Sequence, residues 1–409
     1  MNEPLITNDA TIFGILMLML GLIFYTSSLE HPAWKKFYQF VPPLLVCYFL
    51  PSVLKAAGLI DPSQSQLYFV ASRYLLPAAL VLLTISVDLK EVIKLGPKAL
   101  IMFVTGTVGI IFGGPLAILI FQQLNPDLVA GNTWQGMTTI AGSWIGGGAN
   151  QAAMKEVFTV NDVLFSKMVT VDILVGNIWL GVLIAGVGVT KILDRKLKAD
   201  ASSIEALKVK MEDYQASVMR IPNLTDLMKV LMVGFACTAA GHLGSDIIVP
   251  YLEANYPWMK EYSLTSGFFW LVIIATTLGV ALSFTRLRSL EGVGASRMGR
   301  AFIYILVATI GMNMDILAIF SNPGLFLLGF TWIIFHVLLL AIVAKLIRAP
   351  YFFIAVGSTA NVGGAASAPV IATEFHPSLA PVGVLMAVLG YVLGTYGAYI
   401  CGLLMQLVA

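Results

Sequence analysis

Two stretches of this chain gather residues that could bind a small polar ligand, and both lie inside strongly apolar sequence. The first is Ala141-Gly142-Ser143-Trp144-Ile145-Gly146-Gly147-Gly148-Ala149-Asn150-Gln151. The second, some two hundred residues later, is Val356-Gly357-Ser358-Thr359-Ala360-Asn361-Val362-Gly363-Gly364-Ala365-Ala366-Ser367-Ala368-Pro369. Gly142-Ser143 aligns with Gly357-Ser358, and Gly147-Gly148-Ala149 aligns with Gly363-Gly364-Ala365. Between them the two copies offer Ser143, Asn150, Gln151, Ser358, Thr359, Asn361 and Ser367. Such hydroxyl and amide groups suit a dehydrated cation or a carboxylate. Each glycine costs a helix about 1 kcal/mol relative to alanine, so three in a row should break it. The freed N–H groups at a half-helix N-terminus favour an anion, and unwound carbonyls favour sodium. Gly147 and Gly363 hold matched places where two broken helices should meet, through unusual backbone angles or close approach of backbone to ligand. The competing reading makes the glycines close helix-packing contacts and each serine a partner of its own helix backbone.

A carboxylate completes the set. Asp172 sits deep in an apolar segment, where a charge is costly unless it is paired or cation-bound. Asp172, Thr170 and Asn177 are therefore the expected metal ligands, with hairpin carbonyls, and Asn313 is a further candidate. An ion pair between Asp172 and Lys167 is the competing reading. Asp88 with Lys90, and Asn313 with Asp315, lie at matched segment ends as caps or cation ligands. Glu156 and Glu374 are expected to be solvated at hairpin ends. Arg73 is expected to snorkel to the outer interface, with pairing to a substrate carboxylate as the alternative, and His336 to be a satisfied core histidine rather than a proton relay. Tyr391 and Tyr396, beside Gly390, Gly394 and Gly397, mark a face of close backbone approach.

The elements that must hold these residues are membrane helices. The chain has 409 residues, of which 58% are hydrophobic and 11% charged, against about 25% charged in soluble domains. The net charge of +2 gives no reason to expect nucleic-acid binding. Cys47, Cys237 and Cys401 are isolated, without metal or disulfide spacing, and no signal peptide is expected. Twelve apolar segments fall near 11–28, 38–57, 67–88, 99–121, 133–157, 162–190, 226–243, 263–284, 301–319, 323–345, 351–374 and 380–407. Most reach the roughly 20 residues that a spanning helix needs. The only long polar stretch, Lys191 to Asn223, contains a possible amphipathic helix at 204–211. It divides the chain into a first repeat (1–190), a cytoplasmic linker (191–225) and a second repeat (226–409). Leu83 to Asp88 resembles Ala308 to Asn313, and Val175-Gly176 resembles Leu389-Gly390. The order of the matches is kept.

Five cationic clusters test the topology. They are Lys35-Lys36; Lys90, Lys94 and Lys98; the linker; Arg286, Arg288, Arg297 and Arg300; and Lys345 with Arg348. Cytoplasmic loops are enriched in such residues, yet twelve crossings cannot place all five on one side. They do share a side if the two glycine-broken segments are re-entrant hairpins. Ten crossings remain, five per half, so the halves are inverted. Both termini then lie outside, with hairpin 133–157 entering from outside and hairpin 351–374 from the cytoplasm.

Paired glycine motifs in re-entrant hairpins, within two inverted five-helix halves, resemble the bacterial sodium:glutamate symporters and the 2-hydroxycarboxylate transporters. The wider relatives are the cation:proton antiporter and anion-transporter superfamily. This resemblance implies an all-α polytopic fold of the elevator type, in which a mobile core carries substrate and sodium past a fixed scaffold. The expected protein is thus a sodium-coupled secondary transporter of a small organic anion or amino-acid-like solute. It is expected to be a homodimer surrounded by lipid in the bacterial inner membrane, with no covalent cofactor. A sodium/proton antiporter is the alternative, although that class usually pairs acids at the helix break. An intramembrane enzyme finds no His-Glu-x-x-His or Gly-x-Ser-x-Gly motif, and no Walker motif points to ATP. A channel fits paired hairpins less well than alternating access. Few deep cations argue against tricarboxylates as substrates.

Overall fold

The structure, a computed structural model, describes residues 4–87, 92–93, 95–200, 204, 222–262, 264–314, 323–376 and 379–409. Asp88, Lys90, Lys94, Asp315 and all but the first residue of the expected amphipathic helix lie outside the described residues. Every regular element described is helical. In the first half these are α1 (Asp9–Ser28), α2 (Pro32–Phe40), α3 (Pro43–Phe49), α4 (Ser52–Ala56), α5 (Leu67–Ile85), α6 (Pro97–Leu124), α7 (Thr133–Gly146), α8 (Gly148–Val157) and α9 (Asp162–Val187). After α10 (Thr190–Leu197) come α11 (Leu224–Asn255), α12 (Gly267–Ser283), α13 (Ala295–Asn313), α14 (Gly324–Leu346), α15 (Tyr351–Asn361), α16 (Gly364–Phe375) and α17 (Ala380–Val408).

Local sequence sets many of these boundaries. Pro32, Pro43 and Pro97 occupy first turns, where the missing N–H costs nothing. Asn8, Asn161 and Ser266 accept from orphan N–H groups at the starts of α1, α9 and α12. Asn223 and Asp226 form a reciprocal capping box on α11.

Among the described residues, seven helices are long and apolar enough to cross a membrane: α1, α5, α6, α9, α11, α14 and α17. Two bent pairs raise the number to nine. One joins Pro32–Tyr38 to Pro43–Ala56 at 75°, and the other joins Gly267–Ser283 to Arg286–Val293 at 97°. The tenth expected crossing, α13, is not among them. Its first two turns carry Ser296, Arg297 and Arg300, which lower its hydropathy. The halves of the two glycine-broken segments are too short to cross alone.

The helices pack as two groups. One has α5 at its centre, against α11, α12 and α13, with α1 and α3 on α13. The other joins α6 to α14 and α17, and places α7, α15 and α16 on α17 and α9 on α7. The same order of elements runs through both halves, and their contacts are exchanged. Helix α6 packs on α17 as α14 packs on α9. Helix α5 packs on α12 as α13 packs on α3.

Polar contacts fix which ends lie together. Lys98 pairs with Asp200 at 3.0 Å, the Asp200 N–H donates to Arg348 O, and the Tyr351 N–H donates to Asp194. Ser86, just past α5, bonds Glu291 at 2.6 Å, bringing the arginines of 286–300 to the same end. Thr26 bonds Tyr38 at 2.7 Å and Phe24 stacks edge-on with Tyr304, which adds α2 and its two lysines. At the opposite end Asp9 accepts from the Gln66 N–H, and Gln122 donates to Val408 O. The described members of the five cationic clusters thus gather at one end, and the first turn of α1 and last turn of α17 at the other.

Candidate functional site

Both glycine-rich segments fold back on themselves. A methyl on Gly142 would stand 2.5 Å from Asn150 O, whereas eight residues of straight helix would separate the two by about 12 Å. The chain reverses at Gly147, whose φ of 78° and ψ of −176° belong to a region that side chains scarcely enter. The feet of this hairpin meet where Trp134 and Phe158 pack edge-on, 5.8 Å between centroids. In the second hairpin the turn is at Gly363, with φ of 147°, and its feet meet where Phe375 packs on Tyr351 and Phe352. The first hairpin starts beside the end of α6, at the terminal end of the molecule. The second starts beside Asp194, at the cationic end. They enter from opposite ends.

Their tips converge on two matched glycines. A methyl on Gly390 would stand 2.6 Å from Ile145 O and 3.6 Å from Ala360 O, one oxygen from each tip. A methyl on Gly176 would stand 3.6 Å from Val362 and 4.0 Å from Trp144 Nε1, again one group from each tip. Ile145 and Ala360 lie in the last turns of α7 and α15, where carbonyls lack intrahelical donors and the helix dipole is negative.

The carboxylate of Asp172, 6% exposed on α9, accepts from Gln151 Nε2 at 2.7 Å. Ser143 and the Trp144 indole face the same carboxylate. The Trp144 N–H is buried and, although it faces that carboxylate, makes no full hydrogen bond among the described residues. Gln151 Oε1 in turn accepts from Tyr48, on α3 of the other helix group, at 3.1 Å. No ion pair joins Asp172 to Lys167 among the described residues; the partner is an amide. Thr170 and Asn177 each bond a carbonyl of their own helix, Ser166 O and Ile173 O. Asn313 lies in the α5 group, its carbonyl accepting from Lys55 and its amide reaching Thr309 O at 3.4 Å.

At the second tip Ser358 is completely buried. Its Oγ accepts from Trp179 Nε1 at 2.7 Å and lies 2.8 Å from His336 Nε2. His336 Nδ1 lies 2.9 Å from Gly106 O. A carbonyl can only accept, so Nδ1 carries the proton and Nε2 accepts from Ser358. His336 is thus a buried histidine with both nitrogens partnered. Asn361 is held on three sides, by Thr107 at its Oδ1 and by Phe103 O and Gly357 O at its Nδ2. Thr359 bonds Ala355 O on its own helix, and Ser367 lies against Gly363. In the first hairpin Asn150 donates to Gly146 O and accepts from Thr395 at 2.5 Å.

Tyr48, Trp144, Trp179 and Thr395 are therefore neighbours of the site that sequence reasoning missed. Two had a local signal: Trp144 inside the first glycine-rich stretch, and Thr395 among Gly390, Gly394 and Gly397. Two side chains depart from expectation. Glu156 is not solvated but pairs with Arg73 at 2.8 Å and bonds Tyr68. Arg73, rather than snorkelling, lies over the Phe268 ring at 4.5 Å. Glu374, at the foot of the other hairpin, is exposed as expected.

Residues 14–408 match the family described as Protein of unknown function (DUF819). The chain belongs to that family. It is also 28% identical, over 349 residues covering 82% of this chain and 83% of the relative, to the "Uncharacterized membrane protein YjcL" of Bacillus subtilis (strain 168). With the apolar helices, this relative supports a multi-pass membrane protein. The match runs from α1 to α17, so both hairpins of this DUF819 chain lie within the family's extent.

Proposed function

We propose that this protein is a cation-coupled secondary transporter of a small organic anion or amino-acid-like solute. The observation that carries the reading is the meeting, at Gly176 and Gly390, of two broken helices that enter from opposite ends. Broken backbone in a bilayer is tolerated where it lines a cavity or is buried in protein, and paired breaks in two halves point to a transporter's binding site. The exchanged contacts between halves fit a two-fold inverted repeat. The two helix groups fit a scaffold around α5 and a mobile core that carries both hairpins.

The groups at the tips suit this cargo. Asp172 and Ser143 on the α9 side of the tips, and the carbonyls near Gly390 on the α17 side, are oxygen donors of the kind sodium takes. Beside them, the buried Trp144 N–H faces the Asp172 carboxylate without a full hydrogen bond and so remains a donor for a further acceptor, a buried donor left unpaired costing about 1–3 kcal/mol. A carboxylate or carbonyl of the solute supplies one. The test is ion-dependent thermal stabilisation of the purified protein across sodium, potassium and a pH series, with a panel of monocarboxylates and amino acids. Sodium should stabilise the parent, and Asp172→Asn should remove that gain with its ion-free melting kept. Stabilisation by sodium that is unchanged in Asp172→Asn would take Asp172 out of the site. A sodium/proton antiporter, the second reading, rests on Asp172 being a buried carboxylate beside a broken helix. It predicts stabilisation by sodium that weakens on acidification and no response to any solute.

A further inference from the structure

The foot of the first hairpin carries a cluster of charged groups that the binding site does not use. From the hairpin come Lys155 and Glu156, with side chains 8% and 13% exposed, and from α5 come Tyr68 and Arg73. Arg73 meets Glu156 at 2.8 Å, and Tyr68 bonds the other oxygen of the same carboxylate. Lys155 Nζ lies 3.0 Å from Asp162, at the start of α9, and 3.2 Å from the Tyr68 hydroxyl, over whose ring it sits at 4.7 Å. The charges balance, two positive and two negative.

Each side of this contact is prepared separately. On α5 the helix widens to a π turn at Ala71–Leu75, a distortion that frees a carbonyl and is frequent at functional sites. The Arg73 carbonyl, within this turn, lies 3.0 Å from Nε2 of His242 on α11, and the guanidinium rests on Phe268 of α12. Arg73 is thus fixed by three helices of one group. On the other side Lys155 is tied to α9, within the second group. The Arg73–Glu156 pair and the Tyr68 contacts cross between the groups at this end, beside the bonds that Tyr399 and Gln406 of α17 make to the Tyr262 and Glu261 carbonyls. At the second hairpin Glu374, at the foot, is exposed, and the limbs pack on α6, α9 and α17 of their own group.

We propose that Arg73 and Glu156 form a latch that pins the first hairpin to the α5 group and holds the terminal end of the protein shut, so that it must part for the other state to form. Arg73 and Glu156 are positioning residues here, since neither reaches Asp172. The proposal rests on the alternating-access reading but not on the identity of the cation or solute. A partly hydrated pair of this kind can open, because each charge regains water, whereas loss of one partner leaves the other charge buried and alone.

The test uses no ion or solute. Ala152 lies on the limb's inner face, four residues from both Gly148 and Glu156, and is 2% exposed. In a full-length chain with its three native cysteines replaced, Ala152→Cys in lipid nanodiscs is reacted with a maleimide. Adding Glu156→Gln or Arg73→Gln should speed alkylation about tenfold, as expected when one state loses a differential contact. The charge exchange Arg73→Glu with Glu156→Arg should return it to within about twofold of the parent. A helix merely loosened by mutation would not be repaired by exchange. Parent-like alkylation in the single variants, or an exchange variant as fast as the singles, overturns the latch. If the singles do not fold, the exchange variant decides alone: it must fold and alkylate slowly. A negative Asp172→Asn experiment would refute the cation site and leave this result standing.

Discussion

Three consecutive glycines at the first tip serve three different ends, and alanine at each should separate them. Gly147 is needed for its backbone: at φ 78° and ψ −176° an added methyl meets nothing closer than Tyr391 Cε1 at 3.7 Å. Gly147→Ala therefore pays for strain alone, about 1–3 kcal/mol. Gly146 is needed for its smallness: a methyl there would stand 2.6 Å from Gly394 Cα, backbone that cannot turn aside. Gly146→Ala should cost about 1–3 kcal/mol through overpacking, and should push α17 away. Gly148 opens α8 with an ordinary φ, and the nearest atom to its methyl would be Ile303 Cγ2 at 3.8 Å. Gly148→Ala should be neutral, or gain up to about 1 kcal/mol as a better helix former. Unfolding of the three variants in one mixed detergent, against the parent, reads the differences. The first two should lower the folding equilibrium by about one to two orders of magnitude, since 1.4 kcal/mol is tenfold. A Gly148→Ala cost equal to that of Gly147→Ala, or a neutral Gly147→Ala, would refute the assignment of the turn to residue 147.

Two further outcomes are expected. Thr395→Val removes the donor to Asn150 Oδ1 while keeping the shape of the side chain. It should destabilise by about 1–3 kcal/mol in the same unfolding assay, and Thr395→Ser should restore most of the loss; equal stability of Thr395→Val and parent would show the hydrogen bond to be idle. In intact cells an impermeant maleimide should label a cysteine at Ala409 and spare one at Lys196 until the cells are opened, because cationic loops stay inside. The reverse pattern would invert the orientation.

Much of the architecture was legible because glycine and charge act locally. A glycine run breaks a helix wherever it stands, so both hairpins and their turn residues could be placed from sequence. Lysine and arginine clusters report sidedness without any tertiary contact, and their gathering at one end of the molecule follows the expected pattern. The failures share a cause. Glu156 and Arg73 are 83 residues apart in sequence, and nothing in either neighbourhood announces the other. The choice of Gln151 over Lys167 as the partner of Asp172 depends on a hairpin folding back onto α9, a tertiary fact. Thr170, Asn177 and Thr359 were read as ligands from residue type, yet a hydroxyl or amide in a helix finds its own carbonyl four residues earlier at no entropic cost. A composition argument cannot tell such satisfied groups from available ones.

The two tips also show why a duplicated backbone need not give two equal sites. Ser143 and Ser358 are matched, but Ser143 faces the Asp172 carboxylate and Ser358 lies between Trp179 and His336. Both Asp172 and Trp179 come from α9. They are seven residues apart, two turns on one face, with Gly176 between them at the fourth. One helix thus serves both hairpins, giving an acid to the first and an indole to the second, and the glycine between lets the tips approach. The matched helix α17 repeats the glycine, at Gly390, but supplies no acid: its polar contribution is Thr395, committed to Asn150. On the proposed reading, a cation at the tips would have one carboxylate to balance it, from one side only. The asymmetry lies in side chains, which the likeness of the two halves does not constrain, and it gives the meeting point of two similar hairpins distinguishable ends.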